Sequence, residues 1–132
     1  MQISNDRRTF YERIGGEEPL RLLVHRFYTH MDELAETRPI RAMHAPDLGS
    51  AQDKLFMFLS GWMGGPSLYM EKYGHPRLRM RHMQFAIDAS ARDQWMLCMK
   101  HALEDVVDDQ PLRDELLLSL HKVADFMRNQ PE

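Results

Sequence analysis

The chain has 132 residues, a formal charge of -3 from seventeen Lys and Arg against twenty Asp and Glu, 43% apolar residues and one cysteine. That length fits a single domain, 1–132, which buries roughly two-thirds of the surface its unfolded chain exposes. The charge balance offers no global positive field to nucleic acid or an anionic membrane, Cys98 cannot staple the fold internally, and no apolar run has membrane-spanning or secretory length; the expectation is a cytoplasmic protein without membrane or nucleic-acid partners.

Thr9 and Glu12 stand at capping-box spacing and Gly15-Gly16 follows, which predicts a short first helix and a sharp turn. From Pro19 onward Leu20, Leu23, Val24, Phe27, Tyr28, Met31 and Leu34 recur in steps of three and four, the stripe of a helix over 18–36. Pro39 and Pro46 bracket an irregular stretch. Ser50 with Asp53 predicts the cap of a helix over 50–63 carrying Leu55, Phe58, Leu59 and Trp62, ended by Gly64-Gly65-Pro66. Pro66 to Tyr73 has room for two turns stopped by Gly74, and the run from His75 to His82 leads into a short helix. Ser90 with Asp93 opens a helix over 89–107 with Trp95, Cys98, Met99, Ala102 and Val106 on one stripe, and Pro111 opens the last, over 111–128, with Leu112, Leu116, Leu120, Val123 and Met127. No alternating strand pattern occurs, so the class is all-α. The loop-rich span from Gly64 to Ser90 is long for a compact domain and points to a functional reason or an internal ligand.

Among the chemistry-bearing residues, the seven histidines (His25, His30, His44, His75, His82, His101 and His121) form no His-x-x-x-His pair, and none stands beside the cysteine at zinc-ligand spacing. There is no Gly-rich phosphate loop and no nucleophile elbow. Glu17-Glu18 and Asp108-Asp109 fall at helix boundaries, where capping and the helix dipole account for them. The stretch His75-Pro76-Arg77-Leu78-Arg79-Met80-Arg81-His82 differs, packing three arginines and two histidines into eight positions of an acidic protein. One reading is a solvated basic loop. The other is that arginines at alternate positions pair with carboxylates while the terminal His offers a neutral imidazole to a metal, the combination that haem, with two propionates and an axial position, requires.

The residues reached here resemble a known family, the truncated haemoglobins of the second group. The resemblance runs from about Phe10 to Met127 and rests on YERIGGEE at 11–18, RFY at 26–28, KLFMFLSGWMGGP at 54–66, EKYGHPRLRMRH at 71–82 and RDQWMLCM at 92–99. It implies a globin-like two-on-two helical sandwich, with the helix near 20–35 paired to that near 50–63 and the helix near 90–107 paired to the last. It also implies haem b (iron protoporphyrin IX) with His82 as the iron's proximal ligand. Residues 35–43 fall where the family varies, and the first eight or nine residues have no family counterpart and are expected to be flexible.

By the same resemblance Leu55 and Phe58 descend from the helix above the haem, and Ala51 stands where many globins place a distal histidine. Trp95 and Tyr28, which their spacing alone would make core residues, are implied to face the iron as hydrogen-bond donors, indole donating only and phenol donating or accepting. His44 corresponds to a variable pocket position that either bonds Tyr28 or faces solvent. Arg79 is the implied propionate partner among the three arginines, with Met80 and Phe85 lining the proximal side. The function implied is reversible binding of dioxygen or a similar diatomic ligand, nitric oxide or carbon monoxide, for oxygen transport, storage or sensing. The alternative is a redox enzyme, a peroxidase or nitric oxide dioxygenase, drawing electrons from an external reductase. The oligomeric state is left as monomer or homodimer.

Overall fold

A computed structural model of the protein describes residues 7–77, 82 and 87–129. The flexibility expected of residues 1–6 and the short helix expected beyond the basic run lie outside them.

Helix α1 (Phe10–Ile14) begins with the reciprocal bonds its spacing predicts: the Thr9 hydroxyl accepts the Glu12 N–H at 3.1 Å and the Glu12 carboxylate accepts the Thr9 N–H at 3.1 Å. Gly15, at φ 106°, ends it, and α2 (Glu17–Glu33) follows with Leu20, Leu23, Val24, Phe27, Tyr28 and Met31 buried along one stripe. This helix stops three residues before the expected 36, because Leu34 turns extended. A 3-10 turn at Ala35–Thr37 then leads into α3 (Arg38–Ala42). The stretch expected to be irregular is therefore helical in its first part, to Ala42, and non-helical from there to residue 48; Pro39 sits in the first turn, where a missing N–H costs no helical bond.

Helix α4 (Gly49–Trp62) is preceded by Asp47, whose carboxylate accepts the Gly49 N–H at 2.8 Å, and Ser50, the expected cap, lies inside the first turn. After the glycine turn α5 (Leu68–Tyr73) supplies the short segment expected there, stopped at Gly74. Asp88 caps α6 (Ala89–Val106) by accepting the Ala91 N–H at 2.8 Å, whereas Ser90 is helical and bonds Gln94 instead. Asp109 caps α7 (Gln110–Phe126) in the same way through the Leu112 N–H at 3.1 Å, with Pro111 in the first turn. No strand occurs among the described residues, and no helix among them is long and apolar enough to cross a membrane.

The pairing is two-on-two: α2 packs on α4, α6 packs on α7, and the most extensive contact crosses between the pairs, from α2 to α6. Leu20, Leu23, Phe27 and Met31 of α2 share one buried cluster with Met99, Ala102 and Leu103 of α6, joined by Leu59 of α4, Met63 just after it, and Leu116 and Leu120 of α7. Each fully buried Leu, Phe or Met stabilises the fold by about 1.5–3 kcal/mol relative to an exposed one. Ion pairs fasten the rim. Arg13, with 7% of its side chain exposed, reaches Glu115 to tie α1 to α7, and Arg92 donates to Asp125 at 2.7 Å to tie the start of α6 to the end of α7.

The turn after α4 docks on α1. The Tyr11 N–H donates to the Met63 carbonyl at 2.9 Å, and a Cβ placed on Gly65 would lie 2.5 Å from the base of the Tyr11 ring. A Cβ on Gly61, in regular helix, would meet its nearest neighbour at an ordinary 3.5 Å. The two alanine substitutions should thus move stability in opposite directions in denaturant titrations. Gly65→Ala should lose about 1–3 kcal/mol through overpacking, and Gly61→Ala should gain about 0.4–1 kcal/mol through reduced unfolded-chain entropy.

Asp125 accepts from Arg92 and also from Arg128 at 3.4 Å, which holds its carboxyl below the usual carboxylate range. A depressed folded-state pKa contributes stability above the unfolded value of about 3.9, lost as pH falls through the folded one. The melting temperature of Asp125→Asn should accordingly trail wild type at neutral pH, with the gap closing in acid. An equal gap at both ends of the range would remove the ion pair as its cause.

Candidate functional site

Two polar-tipped rings flank Phe27 on the inner side of the α2–α6 crossing. Phe27 has no exposed surface; its ring lies edge-on to Tyr28 with centroids 4.9 Å apart and tilted against Trp95 at 5.0 Å. The two side chains predicted to act together are therefore held by one buried aromatic, on regular helix rather than loop. Such aromatic pairs add about 0.5–1.5 kcal/mol beyond burial.

Tyr28 is 6% exposed, and its hydroxyl donates to the Ala51 carbonyl of α4 at 3.4 Å, a long bond. Burial, and then the neighbouring Cys98, push the phenol well above its ordinary pKa, so it stays a neutral donor. Nothing among the described residues accepts from the Trp95 indole N–H, and the Trp95 side chain is half-buried. Leu55, Phe58 and Ala51 line the same helix, α4; all three are half-buried and pack on the edge of the core.

His44 stands against Tyr28 edge to face, centroids 5.8 Å apart, and its Nδ1 lies 2.8 Å from the Ile40 carbonyl. A carbonyl only accepts, so Nδ1 carries the proton and a neutral His44 keeps Nε2 as an acceptor. The hydrogen bond expected between His44 and Tyr28 is not found among the described residues: the half-buried His44 meets Tyr28 ring to ring, and the Tyr28 hydroxyl donates to Ala51 instead. The segment bearing His44 is fastened on three sides. Arg41 pairs with Asp32 and donates to the Ala45 and Pro46 carbonyls, the Gln94 side-chain Oε1 accepts the Ile40 N–H at 3.2 Å, and the buried Thr37 hydroxyl donates to the Met31 and Leu34 carbonyls.

His82 lies in a turn and is half-buried; its backbone carbonyl accepts from the Asn129 amide at 3.2 Å. Arg77, at the start of the basic run, is exposed with φ 47°. Arg79, Met80 and Phe85 lie outside the described residues.

Three neighbours of these side chains carried no functional signal in the sequence. Phe27 read as one more apolar residue of its stripe, and Thr37 fell in the segment where the family varies. Asn129 stands beyond the last stripe in no motif. Cys98, whose thiol burial pushes up to about 11, is the other buried titratable group here.

The Tyr28 hydroxyl thus sits in the core with a weak partner. Tyr28→Phe should change unfolding free energy at neutral pH by less than about 1 kcal/mol, as measured by urea titration. A loss of several kcal/mol would make the hydroxyl a structural group.

Comparison with known proteins adds an independent line. Residues 9–129 match the family described as bacterial-like globin. The chain is 38% identical over 122 residues, 92% of its length and 89% of the relative's, to the group 2 truncated hemoglobin YjbI of Bacillus subtilis. Among solved structures it is similar to the cold-adapted truncated hemoglobin of the Antarctic marine bacterium Pseudoalteromonas haloplanktis, with TM-score 0.90 and 44% identity over 93% of this chain and 99% of that one. It is likewise similar to the group II 2-on-2 hemoglobin of the plant pathogen Agrobacterium tumefaciens, with TM-score 0.90 and 38% identity over 98% of this chain and 100% of that one.

Proposed function

The chain belongs to the bacterial-like globin family and, within it, to the group II truncated haemoglobins, and from that premise we propose that it binds dioxygen reversibly at a haem b held by His82. Haem as cofactor and diatomic ligands follow from the family. The observation that carries the finer reading is the cluster of Tyr28, Trp95 and Phe27: two neutral donors, one with a long bond and one without an acceptor among the described residues, beside the half-buried apolar side chains of α4.

The residues present suit the group. His82 offers one imidazole, Leu55 and Phe58 supply apolar wall, and Arg79 is our choice for a propionate. Haem, when bound, would supply the iron that takes the diatomic ligand. The protein's part is to decide how long that ligand stays. A diatomic bearing partial negative charge accepts hydrogen bonds, and a phenol held neutral by burial can leave the Ala51 carbonyl to donate one. The indole contributes a second donor. Neither group can withdraw far, because Phe27 holds both rings. His44 Nε2, an acceptor when neutral, could take a hydrogen bond from the Tyr28 hydroxyl, which would turn the phenol oxygen toward accepting.

Each hydrogen bond to a charged acceptor is worth about 1.5–3 kcal/mol, a factor of roughly ten to a hundred or more in release rate. Reconstitution with haem should give a Soret band whose ligation is lost in His82→Ala. Stopped-flow release of oxygen should be faster by about that factor in Trp95→Phe and in Tyr28→Phe. Equal release in all three proteins would sink the donor role. Steady turnover of peroxide or nitric oxide with a supplied reductant, exceeding simple binding, would replace carriage with detoxification.

A further inference from the structure

We infer that Asn129 is a positioning residue for His82: its side-chain amide bridges the His82 carbonyl and the Ile87 N–H, hanging the turn that bears the histidine from the end of the last helix. This rests on the reading of His82 as the haem ligand.

The geometry is a three-bond clamp. Asn129 Nδ2 donates to the His82 carbonyl at 3.2 Å, Oδ1 accepts the Ile87 N–H at 2.8 Å, and the Asn129 backbone N–H donates to the Ile87 carbonyl at 2.9 Å. The orientation of the amide is unambiguous, since a backbone N–H must face its oxygen and a backbone carbonyl its nitrogen. Only an amide of this length carries a donor and an acceptor on one rigid plane. A carboxylate has no donor, and a hydroxyl reaches one partner.

The clamp has a firm base. Beyond α7 the chain turns through the Met127 N–H to Ala124 carbonyl and Arg128 N–H to Asp125 carbonyl bonds, at 3.2 and 3.1 Å, and the Asp125 carboxylate is gripped by Arg92 from α6. Ile87 immediately precedes Asp88, the cap of α6. The His82 carbonyl is therefore referenced to the start of the helix that carries Trp95, through side-chain hydrogen bonds rather than along the intervening chain. Displacing that carbonyl tilts the imidazole on its own Cα, and imidazole orientation sets the strength of an axial bond.

Resonance Raman spectroscopy of the ferrous, haem-loaded protein tests the inference in wild type, His82→Ala, Asn129→Asp, Asn129→Ala and Asn129→Ser. The iron–histidine stretching band should be present in wild type and absent in His82→Ala. It should be shifted or broadened in the Asn129 variants, most in Asn129→Asp, where a second anionic oxygen faces the carbonyl. Haem transfer to an apo-globin acceptor should be about tenfold faster in Asn129→Ala, the equivalent of two net hydrogen bonds. A His82-dependent band that stays unmoved in every Asn129 variant that folds, even with a lowered melting temperature, overturns the positioning role and leaves His82 ligation standing. A band that is missing in wild type or survives in His82→Ala overturns both.

Discussion

Phe27 at the α2–α6 crossing is the contact on which both the core and the candidate pocket depend. It is fully buried, it makes ring contacts to Tyr28 and Trp95, and it belongs to the largest helix–helix contact among the described residues. In a close-packed interior a side chain of that size cannot shift without moving its neighbours. The same dispersion contacts that join the two helix pairs therefore fix where the phenol and the indole point. The positions of these two rings are set by packing first and by hydrogen bonding second.

That order explains why the polar groups are so lightly engaged within the protein. A buried hydroxyl normally finds a good partner, and among the described residues Tyr28 has one only at 3.4 Å. A phenol committed to a short internal bond would have to break it before serving a ligand, and the cost would subtract from the stabilisation delivered. Holding the ring by its apolar faces leaves the hydroxyl cheap to redirect. The segment bearing His44 shows the complementary solution: its backbone is pinned by Arg41 and Gln94, and one ring nitrogen is used to fix the tautomer so that the other is left as an acceptor.

Much of the scaffold was legible because it obeys local rules. The stripes of α2, α6 and α7 follow from steps of three and four, and the box at Thr9 forms as its spacing predicts. Where helix starts were misplaced, a nearer competitor was at work. Ser50 and Ser90 have an acid three residues on, but Asp47 and Asp88 precede them and take the exposed N–H groups first. Pro39 read as a bracket and is a helix opener, since proline suits a first turn as well as a loop. For the site, periodicity placed Tyr28 and Trp95 inside without saying what they faced, and charge alone left His82 a candidate among seven histidines. The family motifs are what imply a role for them; the contact through Phe27 and the clamp at Asn129 join residues distant in sequence, and no local pattern announces either.

The two sides of the site differ in how they are built, and α6 reconciles them. Trp95 rides on regular helix, where position is determined by hydrogen bonds repeated every residue. His82 stands in a turn, a class of structure with fewer constraints of its own. A binding site needs its groups held to within about half an ångström, so the less regular side must borrow rigidity from elsewhere. Asn129 and Ile87 lend it from the junction of α6 and α7, where Arg92 and Asp125 lock the two helices together. The placement of the His82 backbone relative to the indole is then a property of one helix and its cap, so a residue in no motif, at the far end of the chain, holds the turn that bears the proposed ligand.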